Sequence, residues 1–161
     1  MQQQSGKASR DDAYELALRA LSYKERTESE LRGWLSGRGV EEAEIEEVIV
    51  LLGEVGAIDD ASFAQRYAAD KRLLAGWGPD RIAKSLGGRG VAREHIEAAL
   101  DVEDEEGQLE RATRLLAERG MGGGSERERE RALRLLIRRG YSLELAYEAV
   151  RAAERRSREA A

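Results

Sequence analysis

The sequence predicts an all-α protein made of three tandem three-helix units, and three observations carry that expectation. Charged residues make up 37% and hydrophobic residues 41%, with one proline and 5% aromatics. That balance favours helices with solvated faces and interiors of Leu, Ile, Val and Ala. Three strings, LSGRGV at 35–40, LGGRGV at 86–91 and LIRRGY at 136–141, recur with their glycines 51 and 50 residues apart. Apolar residues also keep fixed offsets from those glycines, as a repeat architecture requires.

Gly39, Gly90 and Gly140 align the copies. Eight residues before them stand Leu31, Ile82 and Ala132, and four before stand Leu35, Leu86 and Leu136. One after come Val40, Val91 and Tyr141, six after come Ile45, Ile96 and Ala146, and ten after come Ile49, Leu100 and Val150. The spacing has a mechanism. A helix commonly stops at a left-handed glycine, and the next residue folds back on the one four positions before that glycine. Each string therefore reads as a helix stop with an apolar clasp: Leu35–Val40, Leu86–Val91 and Leu136–Tyr141. Arg38, Arg89 and Arg139 stand where a cation complements the helix dipole and the free carbonyls.

Taken in order, residues 1–10 (MQQQSGKASR) read as a disordered leader without the apolar run of a signal peptide. The first unit, 11–58, opens with a helix near 11–21 that carries Tyr14, Ala17, Leu18 and Leu21 on one face. Thr27 and Glu30 form a capping-box pattern for its second helix, and the third carries Ile45 and Ile49. The second unit, 59–102, starts at an Asp59 cap flanked by Ile58 and Phe63 as a hydrophobic staple. Its first helix, near 60–75, presents Phe63, Tyr67 and Leu74. Gly78-Pro79 opens the next helix with proline at its first position. The third unit, 103–158, has a helix near 105–118 with Leu109, Ala112, Leu115 and Leu116. GMGGGSE at 120–126 is its flexible loop, and Ser125 with Glu128 repeats the capping box. Each trio is small for a self-sufficient core, so neighbours are expected to lean on one another in a tandem array.

Catalytic chemistry finds little support. The chain has no cysteine, which excludes disulfides and thiolate metal sites and fits a reducing interior. The one histidine, His95, precedes the core position Ile96 and reads as a partly exposed helix residue. GGRG at 87–90 lacks the Lys-Ser/Thr of a phosphate loop, and Asp59-Asp60 reads as a helix cap. SERERER at 125–131 reads as a solvated, self-paired helix face. No catalytic, cofactor or metal residues are assigned. No apolar run approaches the roughly 20 residues of a membrane span, so the expectation is a cytoplasmic monomer.

Charge is distributed unevenly. Positions 41–60 hold eight acidic residues and no basic one, and of the 27 basic residues only four are lysine. Arginine suits bidentate contacts to carboxylate or phosphate. The candidate partner-binding residues are Arg72, Arg81 and Lys84 in the second unit and Arg134, Arg138, Arg151 and Arg155 in the third. A short helix, a tight stop and another helix also fit a helix-turn-helix that contacts DNA directly. The net charge of -5 predicts that such binding to single- or double-stranded DNA is weak and salt-sensitive.

ALRALSYKERTESELRGWLSGRGV at 17–40, GAIDDASFAQRYAADKRLLAGWGPDRIAKSLGGRGV at 56–91 and RALRLLIRRGYSLELAYEAV at 131–150 together resemble the RecX regulatory family, modulators of the RecA recombinase. The marks are Tyr23, Arg26, Glu30 and Leu31 in the first unit. In the second they are Asp60, Phe63, Ala64, Arg72, Gly78, Pro79 and Ile82, and in the third Arg139, Gly140 and Tyr141. The resemblance covers roughly 13–155. It implies an elongated, curved array in the bacterial cytoplasm that binds RecA–DNA filaments in their groove and limits their growth. Recombination, ATP hydrolysis and the coprotease activity of the SOS response would then fall. The resemblance implies no catalytic residue.

Overall fold

The computed structural model describes residues 10–161, and these are helical with no strand. The leader expected over 1–10 lies, apart from Arg10, outside the described residues. The helices are α1 (Arg10–Tyr23), α2 (Glu28–Ser36), α3 (Glu42–Glu54), α4 (Asp60–Ala75), α5 (Pro79–Gly88), α6 (Arg93–Leu100), α7 (Glu105–Glu118), α8 (Glu126–Arg139) and α9 (Leu143–Glu159).

Their ends follow from local chemistry. The Thr27 and Ser125 hydroxyls accept the amides of Glu30 and Glu128, and those two carboxylates accept the cap amides in return. Asp59, Asp104 and Ser142 cap α4, α7 and α9 with one side-chain bond each. Pro79 occupies the first turn of α5. At the repeated stops Gly39, Gly90 and Gly140 have φ of 79°, 79° and 92°. Val40, Val91 and Tyr141 donate their amides back to the carbonyls of Leu35, Leu86 and Leu136 at 3.3, 3.1 and 3.1 Å, as the clasp requires.

Each trio of helices closes its own core. Ala13, Ala17, Leu31, Leu35, Val48 and Leu52 are among those that fill the first. Phe63, Ala64, Ala68, Ile82, Leu86 and Ala99 are among those that fill the second. Leu116, Leu136, Tyr141, Ala146 and Ala149 anchor the third. Alanine at Ala13, Ala17, Ala64 and Ala68 lets the first helix of a unit lie close on its partners, and the larger Leu and Ile side chains of the later helices supply the volume. Fully burying one such Leu or Ile contributes about 1.5–3 kcal/mol.

The structure corrects three expectations. Leu18 and Leu74 lie outside the cores, at 41% and 81% exposure, because α1 buries the face of Ala13, Ala17 and Ala20 and the last turn of α4 runs past its core. Ile58 joins the first core and Phe63 the second, so the pair straddles a unit boundary and does not staple a single helix. The cores also do not merge. Neighbouring units meet mainly through polar groups at helix ends.

Those meetings are two joints of one design, in which the start of the second helix of one unit rests on the R-G stop of the next. At the first joint Thr27 Oγ1 donates to the Arg89 carbonyl at 2.6 Å. Arg89 grips Glu30 with both ends of its guanidinium, Nε to Oε1 at 2.7 Å and Nη2 to Oε2 at 3.0 Å. The amide of Glu28 donates to Asp60 Oδ1 at 3.0 Å. At the second joint the amide of Gly78 donates to the Arg139 carbonyl at 2.7 Å, and that of Asp80 to the Gly140 carbonyl at 3.0 Å. Arg139 Nη1 donates to the Ala75 carbonyl, and Tyr141 Oη to the Gly76 carbonyl at 2.9 Å. Arg89 and Arg139 were expected to serve their own helix ends. Their guanidinium groups instead reach across to the preceding unit.

Candidate partner-binding interface

The seven candidate cations do not form one patch. Arg72 points inward, with its side chain 13% exposed. Its Nη2 donates to the Ala99 carbonyl at 2.6 Å, and its Nε lies 3.6 Å from Glu103 Oε2. Burial, and then the nearby charge of Arg111, push its pKa below the ordinary arginine value. Arg111 shares Glu103 through Nη1 and donates to the Trp77 carbonyl and the Tyr141 hydroxyl at 3.1 and 3.0 Å. Arg72 thus belongs to a half-buried ionic node that braces the second joint, and its guanidinium is committed inside the molecule.

Arg81 and Arg138 are brought together. Arg81 Nη1 donates to the Arg138 carbonyl at 3.1 Å, and its guanidinium lies over the Trp77 ring at 4.1 Å. Lys71 approaches the same ring at 4.8 Å. Such stacking holds a cation above an aromatic face and leaves its outward N–H groups available. Arg139 sits among these charges. Burial, followed by the charges of Arg119, Arg81 and Arg138, holds its pKa below the ordinary value. The outcome is an exposed cationic cluster of Arg81, Arg119 and Arg138 around the second joint.

Lys84 is exposed on α5, with no hydrogen bond or ion pair among the described residues. Arg134 is exposed and lies 3.8 Å from Glu130, one turn back on α8. Arg151 and Arg155 are exposed one turn apart on α9. The acidic-basic run that opens α8 is less self-contained than its pattern implied. Arg129 Nε leaves it to donate to Glu154 Oε1 of α9 at 2.5 Å, and the Glu154 side chain is 9% exposed.

Two features escaped the sequence reading. Arg119 stands directly before Gly120, which has φ of 65°. ERGM therefore repeats the R-G stop at the end of α7, a signal present in the string itself. The second is an aromatic and cationic groove on the first unit, with a volume of about 400 Å³, lined by Leu16, Tyr23, Arg26, Trp34 and Arg38 among others. Arg38 stacks on Trp34 at 3.4 Å and Tyr23 is 93% exposed. The remaining polar features are accounted for locally. His95 is partly exposed beside Glu94 at 3.9 Å. Asp59 holds the Ser62 amide, and that bond keeps its carboxyl below the usual range. Among the described residues no cluster of His, Cys, Asp and Glu is arranged to hold a metal, and no helix is long and apolar enough to cross a membrane.

The chain matches two family models, RecX first three-helix domain over residues 13–50 and RecX second three-helix domain over 59–100. It is 34% identical over 147 residues to the regulatory protein RecX of Mycobacterium sp. (strain JLS), covering 87% of this chain and 80% of that one. It is 33% identical over 156 residues to the RecX of Mycolicibacterium smegmatis, covering 92% and 83%. The crystal structure of RecX from Lactobacillus salivarius has a TM-score of 0.80 over 90% of this chain and 96% of that one, at 24% identity, and so matches in fold. A crystal structure of a regulatory protein RecX aligns with a TM-score of 0.75 at 27% identity, covering 89% of this chain and 71% of that one. Two family models, relatives matched over most of both chains and a shared array of three-helix units converge: the chain belongs to the RecX family of regulatory proteins.

Proposed function

We propose that this chain binds RecA or RecA–DNA filaments in the cytoplasm and lowers filament growth, and with it recombinase, ATPase and coprotease activity. The single observation that carries this reading is membership of the RecX family over nearly the whole chain. The architecture supports a mechanism. Units spanning 11–58, 59–102 and 103–158 follow one another through directional joints, so the array offers surface at regular intervals to a partner that is itself periodic. Individually weak contacts then add through effective concentration. Arg81 and Arg138, with Lys84, Arg134, Arg151 and Arg155, supply the cations that meet carboxylates or phosphates of the filament. Arg72 acts from inside, holding the second joint in shape.

ATP hydrolysis by RecA on single-stranded DNA tests the reading. The rate is expected to fall with the chain present at fewer copies than RecA. Replacing Arg81, Lys84 and Arg138 by alanine is expected to weaken that inhibition tenfold or more with helix content unchanged. An unchanged rate, combined with tight binding to bare DNA at physiological salt, would overturn it.

A further inference from the structure

The molecule holds two joints, and both halves of a further one of the first kind. The first joint combines an R-G stop that offers a carbonyl and a guanidinium with a capped helix start that offers a hydroxyl and a carboxylate; the second meets its stop with the backbone amides of Gly78 and Asp80. In the first joint the two sides are Arg89 and Gly90, and Thr27 and Glu30. The stop of the first unit, Arg38-Gly39, meets no neighbouring unit among the described residues. Gly39 has the same φ of 79° as Gly90. A side chain at Gly90 would run into Ser29 of the neighbouring unit, whereas one at Gly39 would meet nothing within 4 Å. The Arg38 guanidinium, lacking a carboxylate among the described residues, lies down on Trp34 of its own helix. The groove beside it exposes Leu16 and Tyr23 among its arginines, so this face of the first unit offers apolar as well as cationic surface.

The complementary half stands in the last unit. Ser125 and Glu128 form a capping box like that of Thr27 and Glu30. Glu30 serves both its own cap amide and Arg89. Glu128 serves the Ser125 amide at 3.4 Å and has no cation partner among the described residues. Hydroxyl, carboxylate, guanidinium and left-handed glycine are thus all present, divided between the last and the first unit.

We propose that a second copy of this chain docks head to tail, its Ser125–Glu128 helix start seated on the Arg38-Gly39 stop, with Glu128 paired to Arg38 and the Ser125 hydroxyl on the Arg38 carbonyl. Such a contact uses different surfaces on the two copies, so each added copy leaves both halves free at the ends and the array grows past a dimer. Its ionic part makes it weaken with salt. This contact stands apart from the RecA reading, because it needs no filament.

Sedimentation of the full chain from micromolar to millimolar concentration at low salt tests it. The average mass is expected to climb past that of a dimer without a plateau and to fall back when salt is added. Arg38→Glu and Glu128→Arg are each expected to weaken association tenfold or more, and the double variant to restore it. A mass that stays monomeric at the highest concentration would overturn the proposal. So would association that the single substitutions leave unchanged.

Discussion

The two joints of this molecule solve one problem with different chemistry. The first is built from side chains: a buried threonine hydroxyl, and a glutamate and an arginine whose side chains are 27% and 28% exposed. The second adds direct backbone pairing. The Gly78 and Asp80 amides reach the Arg139 and Gly140 carbonyls, and the two chains approach so closely that a Cβ at Gly78 would stand 2.5 Å from the Gly140 oxygen. Side chains can turn aside and backbone cannot. The second joint should therefore be stiffer and less tolerant of substitution.

Substitutions grade that difference. Gly78→Ala and Gly140→Ala force backbone against backbone and should each cost about 3 kcal/mol, read as a lower midpoint of denaturant unfolding. Glu103→Ala removes the carboxylate shared by Arg72 and Arg111. The two arginines are left facing each other, at a cost of about 2 kcal/mol after allowing for their partial exposure. Gly90→Ala meets only the Ser29 side chain. It should cost about 2 kcal/mol, and adding Ser29→Gly should recover the part due to collision. Gly39→Ala has open space around it and should cost only the left-handed backbone strain, about 1 kcal/mol.

The smallest effect concerns the first joint and depends on pH. The hydrogen bond from Arg89 holds the Glu30 carboxyl below the ordinary glutamate range. A depressed carboxylate adds stability above its unfolded pKa and loses it as the pH falls through the folded value. The first joint should therefore loosen on acidification below the ordinary glutamate range, by less than about 1 kcal/mol in all. Glu30→Gln should flatten that acid limb in a pH series of unfolding midpoints, while Gly78→Ala should leave its slope intact.

Much of this was legible in the string because it is local. Capping boxes at Thr27 and Ser125, proline in the first turn of α5 and the left-handed glycines depend on residues within one turn of each other, and spacing reveals them. The five apolar columns were legible for the same reason, since one helical period places them. The joints were not. Arg89 and Arg139 satisfy the local pattern of a helix stop, and nothing within that pattern says that their guanidinium groups reach back some 60 residues in sequence. Arg72 looked like a spare cation because its partners, Ala99 and Glu103, come from the far end of its unit and the turn beyond it. Leu74 looked like core because helical periodicity does not record where the opposing helices end.

The central structural claim is that the repeated R-G strings are joints and not merely stops. Hydrogen exchange at single amides tests it. The Gly78 and Asp80 amides lie at the start of α5, where a helix provides no internal acceptor, and only the joint gives them one. Both should exchange slowly, like the interior of α5. The Glu126 and Arg127 amides at the start of α8, which have no such neighbour among the described residues, should exchange fast. Equally fast exchange at Gly78 and Asp80 would contradict it.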